Sequence, residues 1–85
     1  MLKRSVTIAG HRTSIALEPE FWAALDDQAA RRALPLAALI AEIDVARGTA
    51  NLASALRLAV LADFRARLEA ATALTPDTGA TTVIA

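Results

Sequence analysis

Two stretches near the start of the chain alternate between apolar and polar residues. In the first stretch, 4–8, the apolar residues are Val6 and Ile8. The second stretch, 12–17, has one face formed by Thr13, Ile15 and Leu17 and another formed by Arg12, Ser14 and Ala16. Alternation with period two and β-branched residues predicts strand structure. Gly10 separates the stretches and could form the turn of a short hairpin.

An isolated strand is not stable in water, so the strand over 12–17 needs a partner. We expect a basic arm followed by one ribbon strand, together spanning 3–17. Two copies of the chain would then pair their strands antiparallel across a twofold axis, which satisfies the strand edges.

From residue 19 onward the apolar spacing is typical of helices. The first predicted helix spans 19–33, and its inner side would carry Phe21, Trp22, Leu25, Ala29 and Ala33. It should stop before Pro35, because the residue that precedes a proline resists the helical conformation. The second predicted helix spans 35–47, with apolar residues at the helical spacing in Leu36, Leu39, Ile40 and Ile43. Gly48 is a suitable residue to end it.

A third helix is predicted over 51–73, with Asn51 as its N-cap. Its apolar residues form two stripes, and a helix that is apolar on two sides usually contacts two partners, such as its own core and a second subunit. The Thr-, Pro-, Asp- and Gly-containing segment 74–85 is predicted to be a disordered tail. The sequence therefore predicts one domain over 1–73.

The composition narrows the class of protein. The 85 residues include no Cys, so no disulfide or thiolate metal site can stabilise the small core. We therefore expect an obligate oligomer. The 55% hydrophobic content is inflated by alanine, and no uncharged apolar run reaches the length of about 18 residues that a membrane span needs. No apolar run of about 7–15 residues follows Lys3 and Arg4, as a secretory signal would require. These observations predict a cytoplasmic protein without membrane association.

The net charge of zero conceals an uneven distribution. Residues 1–12 contain Lys3, Arg4 and Arg12 and no acid, which gives +3, whereas the remaining residues contain six basic and nine acidic side chains, which gives −3. Such asymmetry often accompanies contact with nucleic acid. The alternative is a solubilising N-terminal tail.

The sequence contains few residues that are suited to catalysis. His11 is the single histidine and lies in the predicted basic arm, where no orienting group accompanies it. One histidine without cysteine makes a poor zinc site. The three glycines are scattered, so no phosphate-binding loop is present. We expect no enzyme activity, no metal and no cofactor.

Two runs of the sequence resemble a known family. Residues 12–25 (RTSIALEPEFWAAL) and 34–43 (LPLAALIAEI) look like the ribbon-helix-helix family of bacterial repressors and antitoxins, and 5–14 (SVTIAGHRTS) looks like a subgroup of short bacterial proteins with a single such domain. The resemblance covers about 3–47. It implies a mainly α fold with one N-terminal ribbon strand, in an intertwined homodimer that here has an additional C-terminal helix. It also implies a transcriptional regulator that inserts a two-stranded ribbon into the major groove of DNA.

The resemblance also assigns DNA-binding positions. The base-reading positions fall on Arg12, Ser14 and Ala16, of which Arg12 could donate two hydrogen bonds to guanine and Ala16 offers only a methyl group. The phosphate clamp of the family falls on the backbone of Leu36 and Ala37, where Pro35 replaces the usual Ser or Thr. The basic arm adds Lys3, Arg4 and His11.

A second interpretation comes from a different functional class. The chain could be a dimeric protein-interaction module that keeps the fold, binds a protein through the third helix or the tail, and binds DNA weakly or not at all. The zero net charge, Ala16 and Pro35 favour this module, whereas the basic arm and Arg12 favour DNA. The expected partners are therefore double-stranded DNA, a second copy in a dimer or tetramer, and a protein at the third helix.

Overall fold

The computed structural model describes residues 1–74, which form a two-stranded ribbon and three helices. In chain order the elements are β1 (Leu2–Ile8), β2 (His11–Leu17), α1 (Pro19–Arg31), α2 (Leu36–Ala46) and α3 (Leu52–Leu74). The helices pack against one another and against one face of the ribbon. The fold class predicted from the sequence is confirmed: the molecule is mainly helical, with an N-terminal ribbon and an additional helix after the second.

The ribbon is built by a single chain, which corrects the expectation of one strand per copy. β1 and β2 pair antiparallel from Leu2 opposite Leu17 to Ile8 opposite His11. Ala9 and Gly10 connect them with φ angles of 51° and 83°. Two successive residues with positive φ form the type of tight turn whose twist matches that of the strands. The segment predicted as a basic arm is therefore strand β1.

The core lies between the inner face of the ribbon and the helices. Alternation along the strands buries four ribbon side chains, which pack with residues from all three helices. The core side chains that are completely or almost completely buried are Leu17, Trp22, Leu25, Leu39, Ile40 and Leu56. Trp22 also fixes the start of β1, because its indole Nε1–H donates a hydrogen bond of 2.8 Å to the carbonyl oxygen of Leu2.

The first helix ends earlier than predicted. α1 ends at Arg31, and Ala33, expected on the inner side of the helix, is exposed with a φ of 55°. The N–H groups of Ala33 and Leu34 donate to the carbonyl oxygens of Ala30 and Ala29. This is the Schellman arrangement, which reverses the chain before Pro35. α2 begins one residue after Pro35, and Gly48 lies just beyond it with a φ of 63°.

α3 is the longest helix, and only its first half packs against the rest of the domain. Leu56 and Val60 pack into the core, but every side chain from Phe64 to Ala73 is exposed. The predicted disordered tail lies outside the described residues, except for Leu74, at which α3 ends. Among residues 1–74, no helix combines the length and the apolar character that crossing a membrane requires.

Candidate nucleic-acid interface

The outer face of the ribbon is polar and exposed. The strand register places three residues of β1 and three of β2 on this face: Lys3, Ser5, Thr7, Arg12, Ser14 and Ala16. Only Ala16 among them is half-buried. The sequence-predicted set Arg12, Ser14 and Ala16 therefore lies together on one face, opposite the buried Ile15 and Leu17.

Cations lie at the two ends of this face, with hydroxyl groups between them. Arg12 lies opposite Thr7, four residues along β1 from Lys3, so the two cations are about 14 Å apart along the ribbon at ~3.4 Å per residue. Ser5 lies directly opposite Ser14 between them. The spacing is similar to the width of the major groove of B-DNA, about 12 Å.

Within residues 1–74, these two cations differ from most of those of the helical body in having no acidic partner. Among residues 1–74, ion pairs within 4 Å involve six of the nine basic residues, namely Arg4, Arg31, Arg32, Arg47, Arg57 and Arg67. Within residues 1–74, the basic side chains outside any ion pair are Lys3, Arg12 and Arg65. Two of the three lie on the outer face of the ribbon, which concentrates uncompensated positive charge there.

Arg4 lies on the opposite face from Lys3. Its guanidinium donates hydrogen bonds of 3.1 and 3.2 Å to the two carboxylate oxygens of Asp26 and lies 4.8 Å from the ring centroid of Trp22. The alternation of β1 explains the placement, because Arg4 has the same parity as Val6 and Ile8. Arg4 thus joins the ribbon to α1, and the charge available on the outer face is +2 rather than +3.

His11 is the first residue of β2 and lies at the turn. It is paired with Ile8 in the register, so it belongs to the same face as the buried residues, although the end of the ribbon leaves it exposed. Its side chain is therefore at the tip of the ribbon, beside Arg12 in sequence but directed toward the other face.

The start of α2 has the free N–H groups that the sequence predicts. The first helical hydrogen bond runs from Ala38 to the carbonyl oxygen of Pro35, so the N–H groups of Leu36 and Ala37 precede the helical ladder. The side chains of Leu36 and Ala37 are half-buried against the core. Contact with an anion at this position would come from the backbone.

The start of α3 lies against β2, a neighbour that the sequence does not reveal. Asn51, Leu52 and Ala53 form a cavity of about 290 Å³ together with 13–16 of the ribbon. The Asn51 side chain caps the helix by accepting a hydrogen bond of 3.2 Å from the N–H of Ser54. The positive end of the α3 dipole is therefore next to Ser14 and Ala16.

A comparison with known families agrees with this arrangement. The family model described as ribbon-helix-helix domain matches residues 1–64, which is most of the chain. The chain belongs to the ribbon-helix-helix family. No curated protein and no solved structure is significantly similar to it.

The ribbon-helix-helix family has a typical function. Proteins of this family are typically DNA-binding transcription regulators that bind as dimers, and the fold is non-enzymatic. The match includes the ribbon, α1, α2 and the supported half of α3. Within the part of the chain that the structure describes, no three His, Cys, Asp or Glu side chains form a group that could hold a metal ion.

Sequence reasoning missed Ser5 and Thr7 on the outer face. The signal was available, since a hairpin with its turn at 9–10 places odd-numbered residues of β1 beside even-numbered residues of β2. No sequence pattern indicates that the start of α3, at Asn51, Leu52 and Ala53, lies near β2, because this proximity depends on how the helices pack.

Proposed function

We propose that this chain is a DNA-binding transcriptional regulator that acts as a homodimer and inserts the outer face of its ribbon into the major groove. The observation that carries the proposal is a pair of cations, Lys3 and Arg12, that have no acidic partner among residues 1–74. They lie on an exposed face whose other side chains are mostly hydroxyls. A two-stranded ribbon fits the major groove, where side chains reach the base edges. Such a regulator acts where the DNA lies, in the bacterial cytoplasm.

The outer-face residues divide into two roles in this proposal. Arg12 and Ser14 contact base edges, Arg12 by donating two hydrogen bonds to guanine, and Ala16 contacts the methyl group of thymine. Lys3 contacts phosphate, as do the backbone N–H groups of α2 at Leu36 and Ala37. Arg4 takes no direct part, because Asp26 and Trp22 hold its guanidinium.

The test is a titration of the chain against mixed-sequence duplex DNA at increasing salt. Two copies contribute four unpaired cations from the ribbons, so the plot of log affinity against log salt should have a slope of about −3 to −4. Mixed-sequence DNA offers Arg12 no fixed guanine, so Arg12 acts there as a cation beside phosphate. Substituting Arg12→Ala should then reduce the magnitude of the slope by about 2, because each copy loses one cation.

A control variant separates the ribbon from general charge. Arg32→Ala removes a cation that is paired with Glu42 on the helical body, and the slope should then stay unchanged. Absence of DNA binding at about 50 mM salt, or equal losses in the two variants, would overturn the proposal.

A second candidate function, the protein-interaction module, is supported by a specific observation. α3 has an exposed apolar face that the ribbon does not use, formed in part by Leu58, Leu61 and Phe64. The same titration distinguishes the two functions, because a module without DNA binding gives no salt-dependent signal.

A further inference from the structure

α3 has a second apolar face that points away from the core. Its large side chains are Leu58, Leu61, Phe64 and Leu68, and each is between 49% and 67% exposed. We call these four residues the α3 stripe. Leu61, Phe64 and Leu68 follow the alternating spacing of three and four residues that is typical of a seam between two helices.

The two ends of the stripe have different surroundings. At its N-terminal end, a groove of about 500 Å³ runs between α1 and α3, lined mainly by Phe21, Ala24, Leu58, Leu61 and Phe64. At its C-terminal end the helix continues beyond the domain, and all side chains from Phe64 to Ala73 are exposed. A helical segment of about ten residues without packing is marginal in water.

We propose that a second copy of this chain occupies the groove, through antiparallel pairing of the two α3 helices. With the twofold axis at the level of Ala66, Leu68 of each copy packs against Phe64 of the other. The unsupported end of each α3 then lies in the groove of its partner. The exposed end of α3 thus fits the apolar groove between α1 and α3, and one molecule contains both parts.

The charges beside the stripe fit the same register. Arg65 and Glu69 lie one turn apart on one flank of the stripe, and neither takes part in an ion pair within the described residues. With the axis at Ala66, Arg65 of one copy and Glu69 of the other are offset by only about 3 Å along the helix axis, at ~1.5 Å per residue, which the long arginine side chain can bridge. The twofold axis repeats the pair. A second copy therefore supplies the partner that each of these side chains lacks.

The inference goes beyond the proposed DNA binding and does not depend on it, because the stripe belongs to α3 and the DNA-binding face to the ribbon. A seam of this length covers an area on the order of 1,000 Å², at the lower limit for specific interfaces. The association should therefore depend on protein concentration, with dissociation in the micromolar range.

The first experiment measures particle mass by sedimentation equilibrium over a wide concentration range. Wild-type mass should rise with concentration, and Leu68→Glu should weaken the association at least tenfold, because it would bury a charge in an apolar seam. Ala66→Glu is the matched control: it adds the same charge to the same exposed helix end but on the opposite face, and it should leave the mass curve unchanged. Wild-type mass that does not change with concentration, or equal effects of the two variants, would overturn the proposal.

The second experiment tests the antiparallel register. Arg65→Glu alone and Glu69→Arg alone should each weaken self-association, since each places like charges opposite one another. An equimolar mixture of the two variants should recover association, because every charge then faces its opposite in the mixed pair. Recovery in the mixture would show that the charges act between copies, because mixing cannot relieve repulsion between residues 65 and 69 of the same helix.

Failure to recover association in the mixture would contradict the register. Saturation of the groove by an unrelated amphipathic helix while the chain itself stays monomeric would replace the second copy with a different partner. Arg12→Ala should leave the mass curve unchanged, so a failure of self-association is distinguishable from a failure of DNA binding.

Discussion

Arg4 and Arg12 show how the role of a cation depends on the face of the ribbon on which it lies. They carry the same side chain in the same ribbon, but Arg4 is held by Asp26 and Trp22, whereas Arg12 faces outward and has no acidic partner in the part of the chain that the structure describes. The difference follows from the alternation of side chains along a strand. Sequence-level charge counting treats the two residues as equivalent.

The two arginines should therefore separate stability from binding. We expect Arg4→Ala to lower the free energy of unfolding by about 0.5–1 kcal/mol, from a half-exposed ion pair and a cation–π contact, with DNA affinity little changed. Arg12→Ala should lower the DNA affinity and leave the free energy of unfolding little changed. Urea denaturation and a DNA titration of both variants check this, and a loss of DNA affinity in Arg4→Ala equal to that in Arg12→Ala would contradict it.

Ala33 occupies a backbone conformation that favours glycine. Its φ of 55° lies in the left-handed region, where a Cβ costs roughly 1–2 kcal/mol. We expect Ala33→Gly to raise the free energy of unfolding by about 0.5–1 kcal/mol, since Ala33 is exposed and contributes little packing.

The matched control for this substitution lies one turn earlier. Ala30 is also exposed but sits within α1, where glycine costs about 1 kcal/mol relative to alanine. Ala30→Gly should therefore destabilise the protein. Thermal denaturation of both variants should give shifts of opposite sign, and shifts of the same sign would show that Ala33 is not strained.

At the scale of elements, ion pairs connect the helices to one another and to the end of the ribbon. Arg31 joins α1 to Asp63 of α3, Arg32 after α1 joins Glu42 of α2, and Arg57 of α3 joins Glu18 at the end of the ribbon. The hydrogen bonds from these guanidinium groups lower the pKa of Glu18, Glu42 and Asp63 below their ordinary values.

These lowered pKa values predict the acid dependence of stability. A carboxyl group whose pKa is lower in the folded state binds fewer protons there than in the unfolded chain, so its contribution is complete above the unfolded pKa of about 4 and disappears as the pH falls through the folded pKa. The free energy of unfolding should therefore decrease from pH 5 toward pH 3.

Glu42→Gln should make that decrease shallower, because it removes one of the three groups. Glu20→Gln is the control, since Glu20 takes part in no ion pair within residues 1–74. Urea denaturation at several pH values gives the comparison. The same pH dependence in wild type and Glu42→Gln would show that the Arg32–Glu42 pair does not contribute to stability.

The order of elements was readable from the sequence because each boundary has a local cause. Period two predicted β2 and marked 4–8 as a second alternating stretch, although that stretch was expected to belong to a basic arm. Pro35 separated the first two helices, and the apolar spacing identified α2. The partner of the strand was not readable in the same way. The turn uses Ala9 with Gly10 instead of the Asn-Gly pair that marks a tight hairpin, so a hairpin and a paired second copy both remained open.

At the scale of the whole molecule, the position of α3 was the least predictable feature. Its two apolar stripes indicated two partners, but the sequence could not show that its first half covers the core while its start lies against β2. Similarly, the contact of Arg4 with Asp26 joins residues 22 positions apart, which only the docking of the ribbon on α1 brings together. The alternation of side chains predicted which residues form the outer face of the ribbon. The start of α3 that borders this face is placed there by tertiary packing, which the sequence pattern does not show.

The molecule thus presents two surfaces with different chemistry. The outer face of the ribbon combines exposed hydroxyls with the unpaired Lys3 and Arg12, and the α3 stripe is apolar with Arg65 and Glu69 beside it. Because separate elements form them, a substitution can change one surface without touching the other. Pairing through α3 would bring two ribbons into one particle, as recognition of two half-sites requires.

The most direct test of DNA binding by the ribbon is an NMR titration of the ¹⁵N-labelled chain with duplex DNA at low salt. The largest changes in amide chemical shift should fall on the outward-facing residues of β1 and β2, with smaller changes at the starts of α2 and α3. Amides of the α3 stripe should change little at constant protein concentration. No change at the ribbon, or changes centred on the groove between α1 and α3, would contradict DNA binding by the ribbon.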